Sequence, residues 1–390
     1  MMAKPLRRQG PLLCVVGARP NYMKMAPLVR AFAARPGLPR VVLVHTGQHY
    51  DVAMNERLFA DLELPAPDLN LEVGSGTHAA QTAEVMRRFE PVLDDLGPSC
   101  VIVVGDVNST LACSLVASKK NVPVAHVEAG LRSFDRDMPE EINRVLTDQI
   151  ADRLYTTERS AAEHLEREGI AAERVVFVGN VMIDSLRTHR KRAIDPSATL
   201  AREGIAPDFL NDDGYGAVTL HRPSNVDEPH TLAESLAILR EVANRVPLIW
   251  PVHPRTRANV ERFGLLSRLA GTRIALLPPQ GYLEMLGLLT NARLVLTDSG
   301  GIQEETTALS VPCLTMRDNT ERPITVEEGT NTVVGRERGR VLACVDDIIA
   351  NGGKRGRIPQ LWDGRAATRI ATDLDLWLAK RLPAAETAAA

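Results

Sequence analysis

No apolar run in this 390-residue chain reaches the ~20 residues that a membrane-spanning helix needs. The first residues, Met1 to Arg8, are basic, but the apolar stretch behind them (Leu12 to Val16) is too short for a signal peptide. The chain therefore reads as cytoplasmic, with no membrane partner. Cysteine is scarce: Cys14, Cys100, Cys113, Cys313 and Cys344 are odd in number, scattered, and form no CxxC pair. That argues against a disulfide framework or a zinc site and for small buried hydrophobes. Neither sign of charge dominates, with 46 Lys+Arg against 49 Asp+Glu and a formal charge of −3. A dedicated nucleic-acid binder would carry a basic excess or face. A GxGxxG fingerprint is missing too, and with it the case for nicotinamide or flavin. There is no internal repeat.

What is present is an ordinary globular balance, 44% hydrophobic and 24% charged, in a chain too long for one core. Single cores stop growing near ~250–300 residues, so two domains are expected. Short apolar runs alternate with helical patterns from end to end. Strands are predicted at Leu12–Val16, Val41–Thr46, Cys100–Val104, Val122–Val127, Arg153–Thr156 and Val175–Val178. The second half offers Ala217–Leu220, Leu248–Val252, Arg273–Leu277, Leu294–Thr297 and Cys313–Met316. Most are continuous rather than alternating, as in parallel strands covered on both faces. Thr231–Val246 and Tyr282–Leu289 carry apolar residues three and four apart, the mark of helices between them. The class is α/β, with parallel sheets. The polar, basic stretch Arg187–Gly204 interrupts the alternation and reads as a solvated helix end and linker. The expected domains are residues 1–186, 187–365 and a last amphipathic helix, Ala366–Leu382, followed by a disordered Ala-rich tail. Two Rossmann-like halves would leave a cleft lined by the carboxyl ends of both sheets, where ligands bind in such folds.

Several residues at strand ends carry chemistry. In Leu296-Thr-Asp-Ser-Gly-Gly-Ile-Gln-Glu-Glu305 a strand runs into a helix through Ser299, Gly300 and Gly301. The glycines admit a close ligand and the helix N-terminus offers free N–H groups to a phosphate. Glu305, a turn further in, is placed to accept hydrogen bonds from ribose hydroxyls; a simple capped turn is the plainer reading. Arg19 and Lys24 follow the first strand and suit a diphosphate, or a surface ion pair. Asp106 and Glu128 follow apolar strands, and Glu140 sits in Met-Pro-Glu-Glu-Ile-Asn-Arg. Held together, such carboxylates can divide acid and base roles between them; helix capping and dipole pairing are the alternatives. His221 and His253 end successive strands as candidates for proton transfer or phosphate binding. His45 and His49 stand four apart in a strand-to-loop stretch, which does not suit a zinc pair. Arg322, in a charged loop, is a further anion ligand.

Taken in order, these motifs resemble the non-hydrolysing UDP-N-acetylglucosamine 2-epimerases. The series from about Val15 to Val334 includes Gly-Ala-Arg-Pro, Gly-Gln-His-Tyr-Asp, Gly-Asp-Val-Asn-Ser-Thr, His-Val-Glu-Ala-Gly-Leu-Arg and Pro-Glu-Glu-Ile-Asn-Arg. It continues with Leu-His-Arg-Pro-Ser-Asn, Pro-Val-His-Pro, Asp-Ser-Gly-Gly-Ile-Gln-Glu-Glu and Arg-Asp-Asn-Thr-Glu-Arg-Pro. Each motif is weak alone; the ordered series is specific. The resemblance implies a glycosyltransferase-B fold, a homodimer, and no metal or nicotinamide. It implies interconversion of UDP-GlcNAc and UDP-ManNAc through elimination and re-addition of UDP. On it, Arg19, Lys24, Gln280, Met285, Ser299, Gly300, Gly301, Glu305 and Arg322 fall where the family binds UDP or the sugar. Asp106, Glu128, Glu140 and His221 fall at its catalytic positions.

The chain also departs from the family. Many bacterial members are activated by UDP-GlcNAc at a second site, through glutamines after the second strand and an Arg-Arg-Glu run after the catalytic histidine. Here Gln48 is followed by His49-Tyr50-Asp51, and His221 by Arg222-Pro223-Ser224-Asn225, so that site is expected to be altered or missing. The alternatives are a 2-epimerase of a UDP-diacetamido-uronic acid, a glycosyltransferase on the same fold, a hydrolysing epimerase, and a nucleotide-sugar sensor.

Overall fold

A computed structural model describes residues 10–47, 52–210 and 214–381. Gln48 to Asp51, whose sequence departs from the family, and the tail beyond Arg381 lie outside the described residues. The chain divides into two compact units, one made of Met1–Ser185 with Gln360–Ala390 and the other of Leu186–Pro359.

Unit 1 holds β1 (Leu12–Val16), β2 (Val41–His45), β3 (Leu69–Asn70), β4 (Cys100–Val104), β5 (Val124–Ala129), β6 (Arg153–Thr156) and β7 (Val175–Phe177). They form one sheet in the order β3-β2-β1-β4-β5-β6-β7, with parallel pairing between neighbours. The helices along this part of the chain are α1 (Arg19–Ala33), α2 (Val52–Asp61), α3 (His78–Leu96), α4 (Asn108–Lys119), α5 (Pro139–Ile150), α6 (Arg159–Arg167) and α7 (Val181–His189). Leu13, Val15, Val101 and Val103 pack into one core with Val85, Phe89 and Val116 of the helices α3 and α4. Cys14 and Ile102, on the opposite face, are buried as well. Both faces being covered, the strands read as unbroken apolar runs.

Unit 2 repeats the plan with β8 (Gly216–Thr219), β9 (Leu248–Pro251), β10 (Ile274–Leu277), β11 (Leu294–Thr297), β12 (Cys313–Thr315) and β13 (Asn331–Val333), in the order β10-β9-β8-β11-β12-β13. Its helices are α8 (Pro196–Arg202), α9 (Pro223–Val226), α10 (Pro229–Ala243), α11 (Pro254–Arg262), α12 (Tyr282–Thr290), α13 (Gly300–Leu309), α14 (Pro323–Glu327) and α15 (Arg338–Asn351). Alternate residues of each strand feed two cores. Val218, Trp250, Leu294 and Leu296 enter one, while Ala217, Ile249 and Val295 enter the other.

Where the structure differs from the sequence reading, the causes are local. β5 starts at Val124 rather than Val122, because Pro123 has no N–H to donate to a ladder, and it runs on through Glu128 to Ala129. The edge strands β3 and β13, two and three residues long, carry too little apolar pattern to be read. The stretch from Arg187 is exposed at most positions, as a solvated helix end would be, but it is anchored and carries a helix of its own. His189 and Thr199 are fully buried, and Pro196 starts α8 behind Asp195, whose side chain accepts from the Ser197 N–H at 2.8 Å.

The chain returns to unit 1 at Gln360, a few residues before the last helix, α16 (Ala366–Arg381). Trp362 is buried there and donates to the Thr157 carbonyl at 3.1 Å. Asp184 accepts the N–H groups of Ala366 and Ala367 at the free start of α16. Further along, Asp373 accepts from Tyr155 at 3.0 Å and Asp375 from Arg35 at 2.8 Å.

Candidate active site

In unit 1 the candidate residues cluster at the carboxyl ends of β1, β4 and β5. Asn21 accepts the N–H groups of Gly17 and Ala18 and donates to the Val104 carbonyl. It thereby fixes the turn that puts Arg19 at the first position of α1. Lys24, one turn on, is buried and lies 2.7 Å from Glu128 Oε1. Gly105 makes room for this pair. Its φ is +66°, and a Cβ there would stand 3.3 Å from Lys24 Nζ and 3.9 Å from Glu128 Oε1.

Glu128 has the backbone of a strained residue. The register of β5 against β6 shifts between Val127 and Ala129, and Glu128 takes φ +72°. A left-handed non-glycine residue costs about 1–3 kcal/mol and persists where its surroundings over-determine it. A bulge re-aims the side chain it carries, here onto Lys24.

The cap position of α4 is Val107, and the carboxylate of Asp106, one residue before it, meets Arg144 Nη2 at 2.5 Å. Asn143 donates to the Asp106 carbonyl at 2.9 Å and to Asn108 at 3.1 Å. Both Asn143 and Arg144 come from α5, which is inside out. It buries Glu141, Asn143, Arg144, Thr147 and Asp148 and leaves Ile142 40% and Leu146 47% exposed. Glu141 folds back onto the N–H groups of Ser133 and Phe134. Glu140, in the first turn of α5, is half-buried and has no hydrogen-bond or ion-pair partner among the described residues. His45 bonds to Tyr22 at 2.6 Å and accepts from the Gly47 N–H; burial lowers its pKa, against the Asn70 hydrogen bond.

In unit 2 the organising residue is Asp298, which the sequence reading passed over. It is fully buried at the end of β11. It accepts the backbone N–H groups of His221 and Arg222, the Asn225 amide at 3.1 Å, and His221 Nδ1 at 2.9 Å. Burial works to raise the Asp298 carboxyl, but the bonds from His221 and Arg222 outweigh it and lower it. With Nδ1 committed, His221 presents Nε2. The His253 ring lies 5.5 Å away.

The next residue, Ser299, is the N-cap of α13 and makes no side-chain cap bond. The first N–H groups of that helix, at Gly300 and Gly301, are left for a ligand. A Cβ at Gly300 would come 2.5 Å from Glu321 Oε1, so a larger residue there would have to displace that carboxylate. Three guanidiniums gather on this helix end. Arg317 pairs with Glu321 at 2.7 Å, Arg222 with Glu321 at 3.4 Å, and Arg322 with Glu304 at 2.9 Å. Arginine guanidiniums of this kind make the bidentate hydrogen bonds that suit a diphosphate. Gln303 ties the arginine loop to α13 by accepting from Thr320 at 2.6 Å and Asn331 at 3.0 Å. Glu305 is buried one turn in, and its pKa is pushed up to about 8 by burial and by the charge of Glu304, against a hydrogen bond from Tyr282. Gln280 and Met285 flank the start of α12. Both are half-buried, and the Gln280 amide is held by Arg202 at 2.7 Å and Glu203 at 3.2 Å.

Residues 31–375 match the family model for UDP-N-acetylglucosamine 2-epimerase. The chain belongs to that family. The UDP-N-acetylglucosamine 2-epimerase of Methanocaldococcus jannaschii is 41% identical over 92% of this chain and 97% of its own. The UDP-2,3-diacetamido-2,3-dideoxy-D-glucuronate 2-epimerase of Pseudomonas aeruginosa is 42% identical over 85% of this chain and 90% of its own. Among solved structures, the Methanocaldococcus jannaschii UDP-GlcNAc 2-epimerase in complex with UDP-GlcNAc and UDP superposes with a TM-score of 0.85 at 39% identity. It covers 94% of this chain and 99% of that one. The two parallel-sheet units of this 2-epimerase family member are therefore of the glycosyltransferase-B type.

Among the described residues, no helix is long and apolar enough to cross a membrane. The side chains that sequence reasoning missed are Asp298, Arg222, Arg317, Glu321, Arg144 and Gln303. Asp298 had a signal, since it stands between strand end and phosphate turn; Arg144 is four residues after Glu140 on the same helix.

Proposed function

We propose that this protein interconverts UDP-N-acetylglucosamine and UDP-N-acetylmannosamine. The observation that carries the reading is the uncapped start of α13 among Arg222, Arg317 and Arg322, with His221 oriented by Asp298. The C2 proton is weakly acidic, so a carboxylate base needs help from the departing group. In the proposed step a carboxylate takes the C2 proton while the C1–O bond breaks and its electron pair leaves with UDP. Fixed positive charge from Arg222, Arg317, Arg322 and the α13 terminus stabilises the leaving diphosphate. The enclosed 2-acetamidoglucal then takes UDP back at C1 and a proton at C2 from the opposite face. Two faces require more than one proton-transfer group. Asp106 on Arg144, Glu128 on Lys24, and Glu140 without a partner among the described residues supply three carboxylates in different settings. Glu305 is assigned to the ribose, and Gln280 and Met285 to the remainder of the nucleotide.

We extend the reading to a cytoplasmic homodimer. Its support is the exposed apolar side chains of Ile142 and Leu146, one turn apart on the inverted face of α5, and of Phe134, 69% exposed.

Proton NMR with UDP-GlcNAc in D2O tests the reaction. The expected result is UDP-ManNAc, with deuterium at C2 of both sugars and UDP still attached. Free UDP with ManNAc would replace the reading by hydrolysis. No change with UDP-GlcNAc, and turnover of the diacetamido uronic acid, would move the substrate to that of the Pseudomonas aeruginosa relative.

A further inference from the structure

Beneath the strand ends of unit 1 lies a buried chain of charge that the proposed reaction does not use. His126, on β5, is fully buried. Its Nε2 lies 2.8 Å from the Gly105 carbonyl and its Nδ1 2.7 Å from Asp148 Oδ1. A backbone carbonyl only accepts, so Nε2 carries a hydrogen. Asp148 is an acceptor as well. Its other oxygen takes the Gly130 N–H at 3.0 Å and Arg132 Nη2 at 2.8 Å. Nδ1 therefore carries a hydrogen too, and a ring with both is an imidazolium.

We propose that His126 is a standing imidazolium that clamps the strand ends bearing Asp106 and Glu128 at a fixed spacing. Gly105, which its Nε2 holds, immediately precedes Asp106. Gly130, which its partner Asp148 holds, follows Glu128 by two residues. The charges around it balance. Asp148 of α5 faces the ring, Arg132 pairs with Asp148, and Glu168 at the end of α6 pairs with Arg132 at 2.6 Å. The strand ends themselves carry the pairs Arg144–Asp106 and Lys24–Glu128. A neutral imidazole has one N–H and would release either Gly105 or Asp148. Gly105 is left-handed, and the ring bond to its carbonyl at 2.8 Å works with the bond its N–H makes to the Val127 carbonyl at 3.1 Å to tie this turn to β5. His126 is thus a positioning residue, and that role rests on the reading of Asp106 and Glu128 as proton-transfer groups. Its protonation does not.

Two measurements test the proposal. In enzyme labelled with 15N at the histidine rings, both His126 nitrogens should give protonated-type signals at about pH 8. The signals are identified by their loss in His126→Gln, or read on wild-type crystals by neutron diffraction if that variant does not fold. A bare, pyridine-type nitrogen at pH 8 overturns the imidazolium. In kinetics, His126→Gln keeps one donor, and should lose about 100-fold in kcat with KM and UDP affinity unchanged, as expected for misplaced reacting groups. Wild-type kcat overturns the positioning role. Asp148→Asn removes the counter-charge, so the ring should titrate and kcat should acquire an alkaline limb that wild type lacks; an unaltered pH profile counts against the clamp. A wild-type enzyme that epimerises neither UDP-sugar would sink the functional reading, while the ring spectra would still decide the protonation.

Discussion

Glu305 is a carboxyl whose surroundings favour its neutral form, and pH should expose this. Its pKa is pushed up to about 8 by burial and Glu304, from an ordinary value of 4.5. Between those two values the folded protein keeps a proton that the unfolded chain releases, so stability falls as pH rises through this window. Above about pH 8 the cost of the buried charge is fully present. Glu305→Gln should therefore melt at a higher temperature than wild type at pH 8.5, with the gap closing towards pH 5. Equal melting temperatures at the alkaline end would show that the carboxyl is not held in its neutral form. Asp298 makes the opposite case, a buried carboxylate kept charged by the groups it orients. Asp298→Asn keeps the shape but weakens the hold on His221 Nδ1, and kcat should fall about 10–100-fold with UDP affinity largely retained. The sequence showed where the ligand-facing residues stand because strand ends are legible from apolar runs. It did not show Asp298, Arg144 or Gln303, whose partners are distant in the chain. A carboxylate becomes an organiser only when folding brings Arg222 and Asn225 to it.

Among the elements, α5 is read wrongly by any rule that puts apolar residues inside. Its polar residues face inward because Asn143 and Arg144 hold the Asp106 turn and Asp148 holds His126 and Gly130. Ile142 and Leu146 are left on the outer side. If a second copy covers them, Leu146→Glu should yield a monomer by light scattering at micromolar concentration, while wild type runs as a dimer. An unchanged mass for the variant would place the interface elsewhere. The central strands were predicted nearly to the residue, since each is a buried apolar run bounded by turn residues. β3 and β13 escaped because edge strands of two or three residues bury little, and what identifies them is pairing to β2 and β12. The bulge at Glu128 is likewise a property of pairing: nothing in Val-Ala-His-Val-Glu-Ala announces a register shift.

At the scale of the molecule, the family relationship carries a regulatory question. Pro223 and Ser224 stand in the stretch where the activated members carry Arg-Arg-Glu, and Pro223 opens the short helix α9. The expected kinetics with UDP-ManNAc are hyperbolic, without added UDP-GlcNAc. A strict requirement for added UDP-GlcNAc, seen as a lag or no turnover in its absence, would restore an activator site.

Unit 1 is assembled from both ends of the chain, closed by α16 against Tyr155, Arg35 and Asp184. During synthesis the ribosome therefore delivers all of unit 2 before unit 1 has its last helix. The half that carries the carboxylates must wait, with the α16-binding surfaces of α1 and β6 open, until almost the whole chain has emerged. A nascent chain stalled before residue 366 should thus be protease-resistant in its second half and sensitive in its first, and chaperones should dwell on the unit that is translated first.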